Sequence, residues 1–332
     1  MAIRMGINGL GRIGRLVLRL AQQKPEIEVV HINDPMDRTI MHYLLKYDSI
    51  HGRFPFSLSN ENGYLRINGN RVVVTHEPSP ETINWRATGA EIVIDSSGHF
   101  LTRESLEPHL RGGAVKVILS CPPSDDSIER TVVIGVNHND IRSTDRIISN
   151  ASCTTQCAAI MLKVLDDAFG IESAFMNTVH PFTNNQSLVD GIHSDERRSR
   201  AVGVNIIPTT STAVRAVGLV MPHLRQRFDG FATRVPVPCG SYVELTSQLH
   251  SDVNPQRIRD AFLQASSHDL KGLLEYSMEP LVSTDIINNS HSAIFDALST
   301  KVIGSRLVQI LGWYDNEWGY SDRIIDLVKR IA

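Results

Sequence analysis

The sequence predicts a two-part chain: a doubly wound α/β domain on a largely parallel sheet up to about residue 150, then an α+β domain on a mainly antiparallel sheet. Two observations carry this. Short apolar runs alternate with helix-period segments through residue 150, and beyond it long strands follow one another with few helices between them. The length of 332 residues gives room for two hydrophobic cores.

The first element, "IRMGI", is a short apolar strand. "GRIGRLVLRLAQQ" follows with Ile13, Leu16, Leu18 and Leu20 at helical spacing, and "EIEVVHIN" is a strand again. A strand, helix, strand unit implies parallel pairing through a crossover. The alternation continues with the helix "TIMHYLLKY", a hairpin "YLRINGNRVVVTHE" turning at Asn68-Gly69-Asn70, and strands at "EIVIDSS", "VKVILS", "TVVIGV" and "RIISN".

A helix from Ser152 to about Gly170 opens the second part. The strands "ESAFMNTVH", "GFATRVPV", "YVELTSQLH", "SAIFDALS" and "RLVQILGWYD" then make up its sheet. Between His180 and Ile206 runs a polar, irregular stretch far longer than an ordinary connector, and such loops carry sites or interfaces. The last segment, "EWGYSDRIIDLVKRI", is amphipathic, with Ile324, Ile325, Leu327, Val328 and Ile331 on one side.

Composition removes several classes of function. A formal charge of −3 supplies no positive field for a nucleic-acid backbone. No run approaches the roughly 18 apolar residues of a membrane span, and "MAIRMGING" lacks a signal-peptide layout, so a cytoplasmic protein with no membrane partner is expected. The four cysteines, Cys121, Cys153, Cys157 and Cys239, form no CxxC pair, which argues against a disulfide framework or a bound metal.

"NGLGRIG" places Gly9, Gly11 and Gly14 in GxGxxG spacing directly after a strand and at the opening of a helix. Such glycines let the backbone turn tightly and approach a pyrophosphate, which the free N–H groups of the helix start can bind. The motif alone is weak, but its context strengthens it. Asp34 ends the second strand 20 residues past Gly14, where a carboxylate accepts hydrogen bonds from an adenosine ribose. That carboxylate repels a 2′-phosphate, so NAD is favoured over NADP; Arg38 is the residue through which NADP would be held.

"SNASCTTQC" raises a second candidate. A free cysteine is by default a small core residue. Ser152, however, is a fitting N-cap, which puts Cys153 in the first helical turn, where the helix dipole favours a thiolate. Cys157, one turn on, reads as packing. A thiol nucleophile needs a base, and among 13 histidines His180 stands out by ending a strand at the mouth of the long loop. Arg198 in "DERRSRA", the hydroxyl run "PTTST" and Arg234 are candidate phosphate ligands. Each taken alone also reads as a solvated loop charge, a helix cap or a surface strand residue.

In order along the whole chain, "INGLGRIGR", "INDP", "LLKYDSIHGRF", "SNASCTTQC", "TVH", "NIIPTT", "RVPVP" and "WYDNEWGYSDR" resemble the phosphorylating glyceraldehyde-3-phosphate dehydrogenases. The resemblance implies an NAD-binding Rossmann domain from residues 1–151 plus 317–332. It also implies a catalytic α+β domain from 152–316, with the polar loop 181–205 at a subunit interface of a homotetramer.

The same resemblance implies oxidation of a sugar-phosphate aldehyde with NAD and inorganic phosphate, Cys153 being the nucleophile and His180 the base. Thr183 and Arg234 would hold the substrate's phosphate. Ser152, Arg198 and Ser211 would hold the attacking one, with Thr154 and Thr212 beside them. Asn8, Gly9, Gly11, Arg12, Ile13, Asp34, Ser96 and Ser120 match cofactor contacts. Asn316 would orient the carboxamide, and Tyr320 would pack beside the nicotinamide.

Gln156, Pro181, Asn185, Thr212, Pro78 and the "CGS" turn at Cys239 depart from the family pattern. They cluster around phosphate and adenine recognition and leave the aldehyde open. Erythrose-4-phosphate dehydrogenase, which releases the acid through water, is the alternative, as is an arsenate-resistance-associated member of the same family, which "DALST" resembles. A nucleotide-binding regulator without turnover fits less well, because Cys153, His180 and Asn316 are all in place.

Overall fold

The computed structural model describes residues 2–61 and 63–332. It contains β1 (Ile3–Asn8), α1 (Arg12–Ala21), β2 (Ile27–Asn33), α2 (Arg38–Lys46), β3 (Leu58–Glu61), β4 (Tyr64–Ile67), β5 (Asn70–Thr75), β6 (Ile92–Asp95), α3 (Arg103–Arg111), β7 (Lys116–Leu119), β8 (Arg130–Thr131) and β9 (Ile147–Ser149). After these come α4 (Cys153–Phe169), β10 (Ile171–Pro181), β11 (Ile207–Thr209), α5 (Ala213–Val220), β12 (Phe228–Val235), β13 (Ser241–Leu249), α6 (Pro255–Ser267), β14 (Leu274–Ser277), β15 (Ala293–Ile303), β16 (Leu307–Tyr314) and α7 (Trp318–Ile331). They form two compact units. One holds residues 2–132, 139–151 and 321–332, the other residues 133–138 and 152–320.

The first unit is built on a sheet ordered β3-β4-β5-β2-β1-β6-β7-β9-β8. From β5 through to β8 every neighbour pair is parallel. β1 and β2 are buried on both faces, as their unbroken apolar runs require. Strand order reverses at β1, so the crevice at the carboxyl ends of β1 and β6 is a topological switch point, where open α/β sheets bind ligands. The hairpin of β4 and β5 turns as expected: Asn68 and Gly69 both have positive φ, which this two-residue turn demands.

One predicted strand does not form. "TVVIGV" contributes only Thr131 to β8, while Val132 and Val133 are fully buried outside any strand. A three-residue apolar run reports burial, not conformation, and Gly135 at φ +90 turns the chain away.

The second unit carries a sheet ordered β11-β12-β10-β13-β16-β15-β14, antiparallel except for β10 with β12 and β14 with β15. α4 lies against β10, β13, β15 and β16, with all but a few of its residues buried. That explains an apolar sequence with no polar stripe: this is a central core helix. No regular element forms between Pro181 and Ile207, so the long polar loop is a loop. Two short strands, β11 and β14, and the helices α5 and α6 go beyond what the sequence pattern showed. No helix among the described residues is long and apolar enough to cross a membrane.

Candidate active site

The chain reaches Cys153 through a tight turn: Ala151 holds φ +55, a conformation that non-glycine residues rarely adopt. Ser152 caps α4, its Oγ accepting from the Thr155 N–H at 3.1 Å, so Cys153 occupies the first helical position. Cys153 Sγ lies 3.5 Å from His180 Nε2. His180 is the penultimate residue of β10 and pairs in register with Arg234 on the parallel neighbour β12, which aims both side chains to one side. Arg234 Nη1 sits 2.5 Å from His180 Nδ1 and 3.0 Å from the Pro181 carbonyl oxygen; Nδ1 is itself 2.9 Å from that oxygen.

Tyr314, at the end of β16, ties this cluster together. Its hydroxyl meets Thr154 Oγ1 at 2.8 Å and Thr178 Oγ1 at 2.9 Å, and its ring lies edge-on to His180. Sequence reasoning passed over Tyr314, although it stands inside the C-terminal "WYDNEWGYSDR" motif. Thr154 is the converse case. Thr154 is 6% exposed, and its hydroxyl lies against Tyr314 and, with its backbone N–H, acts on the Cys153 thiol.

Burial pushes the Cys153 thiol up to about 11, opposed by the Arg234 guanidinium and by the N–H groups and hydroxyl of the first helical turn. Burial, with Arg234 next, holds His180 down at about 3. Burial thus works against the thiolate that the helix start and Arg234 favour at Cys153, and against a charged ring at His180.

Two of the candidate anion ligands, Arg198 and Arg234, lie within electrostatic reach of one another. Arg198 donates through Nε and Nη2 to Thr209 Oγ1 at 2.8 and 2.6 Å, and Asp195 lies 3.5 Å away. Arg198 also acts on Arg234 electrostatically, helping to lower its pKa after burial and against the pull of Cys153 and Tyr314. The N-cap of α5, Thr212, makes no side-chain cap, and Ser211 Oγ reaches only the Ala213 N–H at 3.3 Å. Thr183 donates to Asn185 Oδ1 at 2.7 Å, so the departure at Asn185 bears directly on Thr183.

Farther along, Asn316 Oδ1 accepts from the Gly240 N–H at 3.1 Å and Ser241 Oγ at 3.3 Å, with Cys239 Sγ at 3.6 Å. The "CGS" turn thus fixes the amide so that its NH₂ remains as the donor face. Tyr320 is buried.

In the first unit a cleft of about 340 Å³ is lined by Asn8, Gly9, Gly11, Asp34, Pro78 and Ser96, among others. α1 starts at Gly11 without a side-chain cap, leaving first-turn N–H groups for an anion. Space for a Cβ is absent at Gly9, where it would fall 2.5 Å from the Ser97 nitrogen, and at Gly14, where it would fall 2.1 Å from the Gly9 carbonyl oxygen. Gly11 faces open space. An uncapped helix start behind a glycine cradle fits a pyrophosphate. Asp34 accepts from the Leu10 and Met36 N–H groups at 2.6 and 2.8 Å and keeps lone pairs for a ribose hydroxyl.

The profile "Glyceraldehyde 3-phosphate dehydrogenase, NAD binding domain" matches residues 3–103, and "Glyceraldehyde 3-phosphate dehydrogenase, C-terminal domain" matches residues 152–316. Glyceraldehyde-3-phosphate dehydrogenase 1 of Bacillus subtilis is 45% identical over 333 residues, spanning all of this chain and 99% of its own length. Glyceraldehyde-3-phosphate dehydrogenase of Geobacillus stearothermophilus is 46% identical over the same span, and glyceraldehyde-3-phosphate dehydrogenase 1 of Streptomyces avermitilis is 47% identical over 335 residues. The chain belongs to the glyceraldehyde-3-phosphate dehydrogenase family.

Two of the residues that match cofactor contacts in this family have their side chains engaged within the first unit. Asn8 is 4% exposed, donating to Asp95 Oδ2 and accepting from Asn33 Nδ2, both at 2.8 Å. Arg12 is locked to Asp48 by two bonds of 2.7 and 3.2 Å, which leaves its backbone N–H, like that of half-buried Ile13, as the group at the helix start. Burial would raise the Asp48 carboxyl, yet the His51 and Ile50 N–H groups and Arg12 hold it at about 2, so this pairing persists at neutral pH. Ser96 Oγ donates to the Gly9 carbonyl at 2.6 Å and braces the glycine turn, while Ser120 follows the end of β7. Asp95, which the sequence reading did not single out, is wholly buried and anchors Asn8, Ser97 and His109.

Gly14→Ala is expected to lower stability by about 1–3 kcal/mol, the range for overpacking against backbone, and NAD affinity by about tenfold or more. Thermal denaturation and calorimetric titration measure the two. Unaltered NAD affinity would show that this turn does not carry the cofactor.

Proposed function

We propose that the protein is a phosphorylating dehydrogenase that converts glyceraldehyde 3-phosphate, NAD and inorganic phosphate to 1,3-bisphosphoglycerate. The observation that supports this most is the thiol of Cys153 at a helix start, 3.5 Å from the imidazole of His180, with an arginine against the far side of the ring. The full-length likeness to dehydrogenases of that name supports the same reading.

NAD would be held by the first turn of α1 at Gly9, Gly11, Arg12 and Ile13, by Asp34 at the ribose, and by Ser96 and Ser120. The Asn316 NH₂ would orient the carboxamide, and Tyr320 would pack beside the ring. When bound, NAD supplies the acceptor for the hydride that leaves the aldehyde carbon.

His180 takes the Sγ proton at Nε2 while Sγ bonds to the carbonyl carbon. The developing oxyanion receives that proton back from Nε2 and a hydrogen bond from the Cys153 N–H, giving a thiohemiacetal. Nε2 then removes the hydroxyl proton as the carbon is oxidised, leaving a thioester on Cys153. A phosphate oxygen attacks that carbon, the C–S bond breaks, and the departing thiolate is stabilised by Arg234 and the helix N–H groups.

Thr183 and Arg234 hold the substrate's phosphate. Ser152, Arg198, Ser211 and Thr212, with the backbone of Thr154, hold the attacking phosphate. The uncapped start of α5 beside Ser211 suits that task. The protein works as a homotetramer, consistent with the exposed Phe175–Phe231 ring pair on β10 and β12 and the apolar Leu188, Val189 and Ile192 on the polar loop.

Purified protein with NAD and glyceraldehyde 3-phosphate should form reduced cofactor continuously only when phosphate is present. Phosphate-independent turnover of erythrose 4-phosphate, with none of glyceraldehyde 3-phosphate, would overturn the proposal.

A further inference from the structure

Beneath the nucleotide cleft the first unit carries a row of buried polar side chains. β2, β1 and β6 end at Asn33, Asn8 and Asp95, and the parallel registers pair Asn8 with Asn33 on one side and Asp95 on the other. In-register side chains of a parallel sheet leave it on the same face, so the three stand side by side. They are joined directly: Asn8 Nδ2 donates to Asp95 Oδ2 and Asn33 Nδ2 to Asn8 Oδ1, both at 2.8 Å. At one end of the row Asp95 Oδ1 accepts from Ser97 Oγ at 2.7 Å and from the Ser97 N–H at 3.1 Å. At the other, Asn33 Nδ2 donates to the Glu77 carbonyl oxygen and Asn33 Oδ1 accepts from the Glu77 N–H, both at 2.9 Å. Ser97 and Glu77 both line the cleft, so the row ties one of its walls to the other.

The row has a polarity, and Asp95 sets it. The carboxylate is aimed from outside the cleft: its Oδ2 lies 3.0 Å from Nε2 of His109 on α3, and the Trp85 indole N–H meets His109 Nδ1 at 3.0 Å. An indole N–H can only donate, so Nδ1 accepts and the ring hydrogen on Nε2 is given to Asp95. An amide can turn over and exchange its donor and acceptor ends, whereas a carboxylate only accepts. Asp95 therefore obliges Asn8 to turn its NH₂ toward the carboxylate and its oxygen toward Asn33, which in turn fixes Asn33 against Glu77. His109 and Trp85 are wholly buried, so neither can touch a ligand in the cleft.

We propose that Asp95, aimed by His109, is a positioning residue for NAD: it orders the Asn8 and Asn33 row and so holds the Ser97 and Glu77 walls, and the strand end leading into Gly9, in the binding arrangement before the cofactor arrives. A cleft whose walls are already in place binds without the entropic cost of ordering them, and the difference appears as affinity. Without the hydrogen bond from His109 the carboxylate can rotate, and binding must then also restore the row. This rests on the reading of the cleft as the NAD site.

The test reads binding and needs no turnover. His109→Phe removes the hydrogen given to Asp95, whereas His109→Gln keeps a side-chain N–H for it; both remove the ring nitrogen that Trp85 meets. In calorimetric titration the Phe variant should bind NAD about threefold to tenfold more weakly than wild-type protein, the range for the net contribution of one hydrogen bond. The Gln variant should stay within about twofold of wild type, because the donor is retained. A network that only stabilises the unit predicts lower thermal stability in both variants with NAD affinity unaltered. Equal affinity of the Phe variant and wild type overturns the proposal, as does an equal loss in the Phe and Gln variants.

Asp95→Asn gives a second reading should the Phe variant be too unstable to titrate. Its amide sets a donor against the donors of Asn8, His109 or Ser97, and NAD affinity should fall by about tenfold to a hundredfold, the scale of a buried donor left unpaired. Wild-type affinity in that variant overturns the proposal. If wild-type protein does not bind NAD at all, the reading of the cleft falls; if it does and the variants bind as tightly, only the positioning role falls.

Discussion

Cys153→Ser should lower turnover with glyceraldehyde 3-phosphate by about 10⁴–10⁶-fold, the scale of loss when a nucleophile is removed from an otherwise complete site. The replacement is nearly isosteric, so α4, its Ser152 cap and the Tyr314 contacts to Thr154 and Thr178 remain. What changes is acidity. The thiol already sits at about 11 because it is buried, and an alcohol in the same place holds its proton far more tightly, against a base that burial keeps weak. NAD affinity should be unchanged, because the glycine turn and Asp34 are untouched. Stopped-flow cofactor reduction and calorimetric NAD binding measure the two halves, and substantial turnover in the variant would remove Cys153 from its role.

His180→Asn should slow thioester formation by about 10²–10⁴-fold, the range for losing a general base. It should also move the pH profile of Cys153 alkylation by iodoacetamide to higher pH. The direction follows from burial: in the wild-type protein the thiol can pass its proton to Nε2 at 3.5 Å, whereas in the variant only solvent can take it. A thiol held up at about 11 then ionises only as pH climbs toward that value, with Arg234 still pulling the other way. An alkylation profile that does not move, together with an unchanged rate, would mean that another group serves as base.

The nucleotide site was legible largely because it is local. Gly9, Gly11 and Gly14 occupy one strand-to-helix turn, and Asp34 follows at the end of the next strand, so sequence spacing translates directly into position. Cys153 was legible for the same reason, since the cap Ser152 and the helical first turn are neighbours in the chain. The side chains of Asn8, Arg12 and Thr154 were not. Their partners, Asp95 with Asn33, Asp48 and Tyr314, lie 25 to 160 residues away, and no local pattern announces that a hydroxyl or a guanidinium is already engaged.

By itself the sequence determined the strand and helix alternation of the first unit, the antiparallel character of the second, the glycine turn and the capped start of α4. All of these are set by backbone preference and short-range spacing. Only the tertiary structure decided that "TVVIGV" is buried without being a strand, and that Tyr314 braces the start of α4. It also decided that the in-register pairing of β10 with β12 puts Arg234 against His180. Strand register across 54 residues is chosen by packing of the whole sheet, and the protonation of a buried thiol and imidazole by the groups packed around them. Neither is written in the spacing of the residues concerned.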